Sequence, residues 1–439
     1  MFSSLISSTF FLPILFFFAV LSTTMSTQVE GNTLMIPPPP PTPGADPHQQ
    51  GPLRFYISGY GGTIRHFDFQ PGLGATEIGI LNLTDAVKPS WLEFGYNSHE
   101  EGRLNKVYAV DESDEGRVLA FDVDHSTGNL TLQDEASTGA GPVTLTTTRR
   151  GGGTQQRSSC LLSADYTAGS VSIHPLRSSD GSFEDDKPVQ TFQFNGSGPI
   201  ASRQDHSYAH QAILDPSGRF VYVADLGADQ IHIISVPNEE QGIDDCTNFK
   251  LVRPSIDLPA GSGPRHLTFH TCPLTRKTNI YLASELSNTI TAFTQDPHTG
   301  QLEQVGQPIL VLPPGTEYSG YTEDAPNVGE VAVTPDGRFV LVSTRNSPDG
   351  VEDHIALFRR CEQSGELSWV EWYPTEGKTV RHFSLSTDVE ASFVLAANQE
   401  SGSAIIFSRD LQTGALKKET LITDIGMPAF AQFVGIHNL

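Results

Sequence analysis

The chain has 439 residues, with 27 Lys plus Arg against 51 Asp plus Glu, a formal net charge of −24. Phosphate backbones select for clustered positive charge, so this balance excludes a surface built to coat nucleic acid. Only 18% of residues are charged and 37% are hydrophobic, and the 40 Gly and 30 Pro follow no three-residue period, which excludes a disordered acidic chain and a collagen-like one.

The first predicted element is a secretory signal peptide over residues 1–26. Its apolar run, Phe10 to Leu21, is shorter than the roughly 20 residues a bilayer core requires, and small polar residues follow it where a peptidase can cut. A proline-rich linker is expected over residues 27–52, extended through Pro37 to Pro41. The expected location is therefore extracellular, secreted or wall-associated, with no membrane attachment once the signal is removed.

From residue 53 to 439 a short apolar strand recurs, as in FYISGY, VYAVDE, LLSADY, VYVADL, IYLASE, VLVSTR and VLAANQ. The second residue of each copy is Tyr56, Tyr108, Leu162, Tyr222, Tyr281, Leu341 and Leu395, so the copies follow one another at steps of 52 to 60 residues. A near-constant step marks a repeated supersecondary unit. Each copy is followed by a second β-rich run, and several then turn at a Thr-Gly or Ser-Gly pair into a further strand, as in DVDHSTGNLTLQ and TQDPHTGQLEQV. A leading strand precedes the signature in AHQAILDPSGRFVYV and GEVAVTPDGRFVLV, joined to it by a Pro-x-Gly-Arg turn. Four antiparallel strands per repeat and seven repeats predict an all-β, seven-bladed β-propeller. Pro428 to Phe433 matches the leading-strand pattern that the first repeat lacks, so the C-terminal strand is expected to complete the first blade. The Thr-rich TLTTTRRGGGTQQ segment reads as an altered loop before the third blade.

Asn82, Asn129 and Asn195 head glycosylation sequons. Cys160, Cys246, Cys272 and Cys361 permit one or two disulfides, with three full pairings open. No Cys-x-x-Cys or His/Cys cluster occurs, so neither a metal nor a cofactor is expected. No Gly-x-Ser-x-Gly elbow supports a serine nucleophile.

Innermost strands of a propeller line its central channel, so equivalent residues at their ends converge. Leading-strand starts give Val143, His210, Arg265, Gly329, Arg381 and Ala429. Signature-strand ends give Tyr60, Glu112, Tyr166, Leu226, Glu285, Arg345 and Gln399. Arg265, Arg345 and Arg381 predict a cationic bowl whose forked guanidiniums suit a carboxylate. Glu285 and His210 are acid/base candidates, with Arg381, Glu112, Tyr60 and Gln399 as further substrate-binding positions. His266 and His382 follow two of the arginines and, by strand alternation, point to the opposite face as structural residues. His206 and Tyr208 could line the mouth or brace its loop. Alternatively these charges pair with one another and fasten the blades.

The segments HSYAHQAILDPSGRFVYVADLGADQIHI, GSGPRHLTFH, IYLASELSNTITAF, VAVTPDGRFVLVSTRNS and VRHFSLS resemble the lactonase family of seven-bladed propellers. That family includes fungal carboxy-cis,cis-muconate cyclase and bacterial phosphogluconolactonase. By motif, the resemblance to the cyclase implies catalytic roles for His210, Arg265, Glu285 and Arg345. It implies an enzyme closing or opening the lactone ring of a small polycarboxylate, and the expected signal peptide makes it a secreted one. The alternatives are a hydrolase acting on a sugar-acid lactone and a non-enzymatic secreted or wall glycoprotein that uses the propeller as a binding platform. The expected partner is a small anionic carboxylate or lactone.

Overall fold

The computed structural model describes residues 51–84, 86–96, 104–150, 157–237 and 246–434. The expected signal peptide, residues 27–50 of the expected linker, and Gly151 to Gly153 lie outside the described residues.

The described chain forms 28 strands and no helix, arranged as seven four-stranded antiparallel sheets. The innermost strands of blades 2 to 7 are Leu92–Tyr96, Pro142–Arg150, Ala209–Leu214, Pro264–Thr271, Asn327–Val333 and Val380–Leu385. Blade 1 takes its innermost strand from the other end of the chain: Pro428–Val434 pairs with Leu53–Gly59, setting Phe433 opposite Phe55 and Ala431 opposite Ile57. This closes the ring and removes the two edges a linear array of sheets would expose.

The signature strands are buried on both faces, against their own sheet and against the neighbouring blade. Their tyrosines also explain the Thr-Gly and Ser-Gly turns. The hydroxyl of Tyr56 donates to the carbonyl of Gly128 at 2.7 Å, that of Tyr222 to Gly300 at 2.6 Å and that of Tyr281 to Gly365 at 3.0 Å. In each case the glycine is in the hairpin turn of the next blade and has positive φ, 82°, 74° and 82° respectively. A buried tyrosine must satisfy its hydroxyl. Here it does so on the neighbouring blade, at a backbone conformation that L side chains resist.

The described part of the Thr-rich segment, Thr144 to Arg150, is not a loop before blade 3 but part of that blade's innermost strand, with Thr144, Thr146 and Thr147 paired to Ala164, Leu162 and Leu161. β-Branched threonines suit a pleated surface, and their hydroxyls are used there: Thr147 Oγ1 donates to Glu93 at 2.9 Å, and Thr148 Oγ1 shares a hydrogen bond with Ser159. One disulfide, Cys160–Cys246, ties blade 3 to the connection before the outermost strand of blade 4; Cys272 and Cys361 are free.

Candidate active site

Six of the seven innermost strands carry a register irregularity near the same end. In blade 5, Pro264 pairs with Ser284 and His266 with Ala283, so Arg265 is the extra residue. The same arrangement leaves His210 extra in blade 4, Arg381 in blade 7, Val143 in blade 3 and Ala429 in blade 1. In blade 6 the interruption falls at Gly329 and Glu330. A β-bulge re-aims side chains, and two consecutive residues then reach the channel where strict alternation allows one. Arg265 and His266, and likewise Arg381 and His382, line one small axial chamber with His210 and Trp91. The expectation that His266 and His382 face away from the arginines fails for this reason.

Above the chamber, Glu285 gathers three guanidiniums. Arg203 Nη2 donates to its Oε1 at 2.6 Å, while Arg265 Nε and Arg345 Nη2 reach its Oε2 at 3.1 and 2.8 Å. Arg265 Nη1 also donates to the Gly329 carbonyl at 2.7 Å, and Arg345 Nη2 to that of Val328, also at 2.7 Å. Burial alone would raise the Glu285 pKa, but the charges of Arg345, Arg203 and Arg265 outweigh it and hold the carboxyl well below its usual range. Burial and the Arg345 charge bring Arg265 down to about 9, which leaves it a cation at neutral pH.

A second group lies around the same mouth. Tyr60 donates to Glu112 Oε2 at 2.7 Å, Arg381 Nη2 reaches that oxygen at 3.4 Å, and the Arg381 guanidinium sits 5.3 Å from the centre of the Tyr60 ring. The two groups sense each other: Glu285 is among the charges raising the Arg381 pKa, and Arg265 among those lowering that of Tyr60. In these two groups four guanidiniums meet the carboxylates of Glu285 and Glu112, and the buried carboxyl of Glu330 also acts on Arg265.

His210 is buried, its Nδ1 has no hydrogen-bond partner among the described residues, and Tyr166 packs edge-on at 5.3 Å. Burial first, then the charge of Arg265, holds its pKa well below the ordinary value, so it is neutral. Beneath it, His266 Nδ1 donates to Glu330 Oε2 at 2.8 Å and its Nε2 accepts from Arg265 at 3.3 Å. Trp91 meets His266 and His382 edge-on at 5.5 and 5.1 Å.

The structure thus brings His210, Arg265, Glu285 and Arg345 together, with Arg381, Glu112 and Tyr60 beside them. Gln399 makes no hydrogen bond to either group: its backbone N donates to Thr379, and its Oε1 is unpartnered among the described residues. Leu226 is buried and offers the site no polar side chain; its backbone N–H donates to the Tyr208 carbonyl and its own carbonyl accepts from Gln204. His206 bonds Asp205 and the Thr167 carbonyl, bracing its loop. Asn82, Asn129 and Asn195 are exposed.

Sequence reading missed Arg203, Tyr321, Trp91 and Glu330. The first two lie on connections between blades, outside any repeat column. Trp91 immediately precedes the inner strand of blade 2, which has no recognisable leading-strand motif, and Glu330 is the second residue of its bulge.

The chain belongs to the lactonase family: the family model described as lactonase, 7-bladed beta-propeller, matches residues 54–433. It is 28% identical over 333 residues to the 6-phosphogluconolactonase of Bacillus subtilis (strain 168), covering 75% of this chain and 84% of that protein. It is 27% identical over 365 residues to the 6-phosphogluconolactonase of Formosa agariphila, covering 82% and 91%. The solved periplasmic gluconolactonase of Pseudomonas aeruginosa superposes with a TM-score of 0.72 at 26% identity, over 88% of this chain and 99% of that one.

Proposed function

We propose that this member of the lactonase family is a lactone hydrolase that opens a sugar-acid lactone at the arginine-lined channel mouth. The observation that carries the reading is the convergence of the Arg265, Arg345 and Arg381 guanidiniums on neutral His210, in a chain whose net charge is −24. Lactone hydrolysis adds water to the ring carbonyl, places negative charge on that oxygen, expels the ring oxygen and ends in a carboxylate. Arg265, Arg345 and Arg381 supply preorganised donors for the charge that develops. His210 orients the attacking water through an imidazole nitrogen, accepts its proton as it adds and returns it to the departing ring oxygen. Because its protonated form is disfavoured among the arginines, the return step is downhill. Glu285, held ionised, fixes the arginines. The lactonase names of the relatives favour ring opening over the ring closure implied by the cyclase resemblance.

We also propose that residues 1–26 are removed on export and that the enzyme works outside the cytoplasm. The exposed sequons and the Cys160–Cys246 bond suit that compartment. N-terminal sequencing of the secreted protein checks it: an intact Met1 would refute export by cleavage.

The activity is tested by following acid release from gluconolactone and 6-phosphogluconolactone, with spontaneous opening subtracted. The folded chain should exceed that background, and Arg265→Ala should lower kcat/KM about 10²–10³-fold. A folded chain that adds nothing to the background with either lactone rules the reading out.

A further inference from the structure

Among the four arginines, Arg203 differs in how it is held. It comes from the connection between blades 3 and 4 rather than from a blade, and its side chain is 27% exposed where that of Arg265 is 1% exposed. Its root is fixed. The Arg203 N–H donates to the Ile200 carbonyl at 2.8 Å, and the neighbouring Gln204, fully buried, donates to the Leu226 carbonyl at 2.9 Å and to Asp229 Oδ1 at 2.7 Å. Its guanidinium, by contrast, is held only by side chains: Glu285 at 2.6 Å, the Tyr321 hydroxyl at 2.9 Å and the Tyr166 hydroxyl at 3.4 Å. Tyr321 belongs to the connection between blades 5 and 6, so two otherwise separate loops meet over the mouth. The guanidinium also lies 5.6 Å from the centre of the Tyr321 ring.

Removing one partner from a buried carboxylate is ordinarily prohibitive, because a charge is left alone. Glu285 is an exception here, since Arg265 and Arg345 stay on its Oε2 when Arg203 leaves Oε1. Arg203 can therefore exchange the carboxylate for another anion without stranding Glu285. The incoming group would meet a guanidinium fork and two phenolic hydroxyls, a donor set suited to a phosphate, which accepts bidentate bonds from arginine and further bonds from hydroxyls. The buried arginines beneath are left for the ring carbonyl.

Resting on the hydrolase reading above, we propose that Arg203, together with Tyr321, is the specificity-determining pair, which binds the exocyclic phosphate of a phosphorylated sugar-acid lactone. The pair selects the substrate and leaves ring opening to the residues below.

The test compares the native chain with Arg203→Ala, Arg203→Lys and Tyr321→Phe on 6-phosphogluconolactone and gluconolactone. In parallel, calorimetry follows binding of 6-phosphogluconate and gluconate, which needs no turnover. Arg203→Ala should lower kcat/KM for the phosphorylated lactone, and affinity for the phosphorylated acid, by about 10–100-fold, the scale of a lost charge-assisted pair. The values for the unphosphorylated partners should stay within about threefold, with Tyr321→Phe smaller in the same sense and Arg203→Lys in between. Equal losses on both members of a pair, no loss on either, or a native chain with no preference for the phosphorylated acid would each overturn the proposal. If binding discriminates through Arg203 while neither lactone turns over, the hydrolase reading fails and the phosphate site stands.

Discussion

Glu285 and Glu112 occupy the same place in their repeats, one residue beyond the signature strand, yet they are held in opposite ways. Glu285 has a side chain 4% exposed and contacts three guanidiniums contributed by its own blade, the next blade and a connection. Glu112 is 22% exposed and has one arginine at 3.4 Å and a tyrosine hydroxyl. A repeat therefore supplies positions, and what the neighbouring blades place opposite each position decides its chemistry. At Glu285 the result is a fixed anchor for the arginines, and at Glu112 a looser, partly hydrated contact.

The largest expected effect tests the anchor. Glu285→Ala leaves three guanidiniums facing one another and should cost about 3–5 kcal/mol in urea unfolding, as breaking a buried ion pair does. A loss below about 1 kcal/mol would mean that the arginines hold their places without it. Next in size, Arg345→Ala removes a donor but leaves Glu285 with Arg203 and Arg265. Its kcat should fall about 10²-fold, with a thermal midpoint that moves far less than that of Glu285→Ala.

Acidity separates the two regions further. His210, His266 and His382 lie under the Glu285 side, and burial lowers all three, His382 to about 4; burial also lowers His174, in blade 3, to about 4. Their folded values lie below the unfolded one, so their contribution is fully present above pH about 6.5 and is lost as pH falls, because the unfolded chain takes protons that the native one refuses. Each should add up to about 1.4 kcal/mol per pH unit to the loss below that point. Urea midpoints between pH 7 and pH 5 check the slope, and His382→Asn should flatten it. An unchanged slope in that variant would show that His382 titrates normally.

The blades and the ring closure were legible because they are periodic: the repeated signature strands and the C-terminal match to Pro264 to Phe269 are features of order along the chain. The column of His210, Arg265 and Arg381 was legible for the same reason. The bulges were not. An extra residue in a strand leaves no compositional mark, and strict alternation therefore sent His266 and His382 to the wrong face, although Glu330 and Trp91 meet them in the channel. Arg203 and Tyr321 escaped because connections between blades carry no repeat against which an unusual residue stands out. Thr144 to Thr148 carry a strand's β-branched composition, but the three glycines that follow them are a loop signal, and the two cannot be weighed by composition alone.

The smallest effect bears on the looser carboxylate. Glu112→Gln keeps an oxygen that can accept from Tyr60 but removes the charge facing Arg381, so unfolding stability should change by no more than about 1 kcal/mol, as for a partly exposed pair. Function should respond through the field of the mouth, which loses one negative charge beside Arg381. KM for an anionic lactone should fall severalfold at low ionic strength, and the gain should shrink at 0.5 M salt, where the screening length is only a few ångström. A KM that rises instead, independently of salt, would show that Glu112 fixes the pose of Arg381 as Glu285 fixes its own arginines. The two carboxylates would then be anchors of the same kind, differing only in depth.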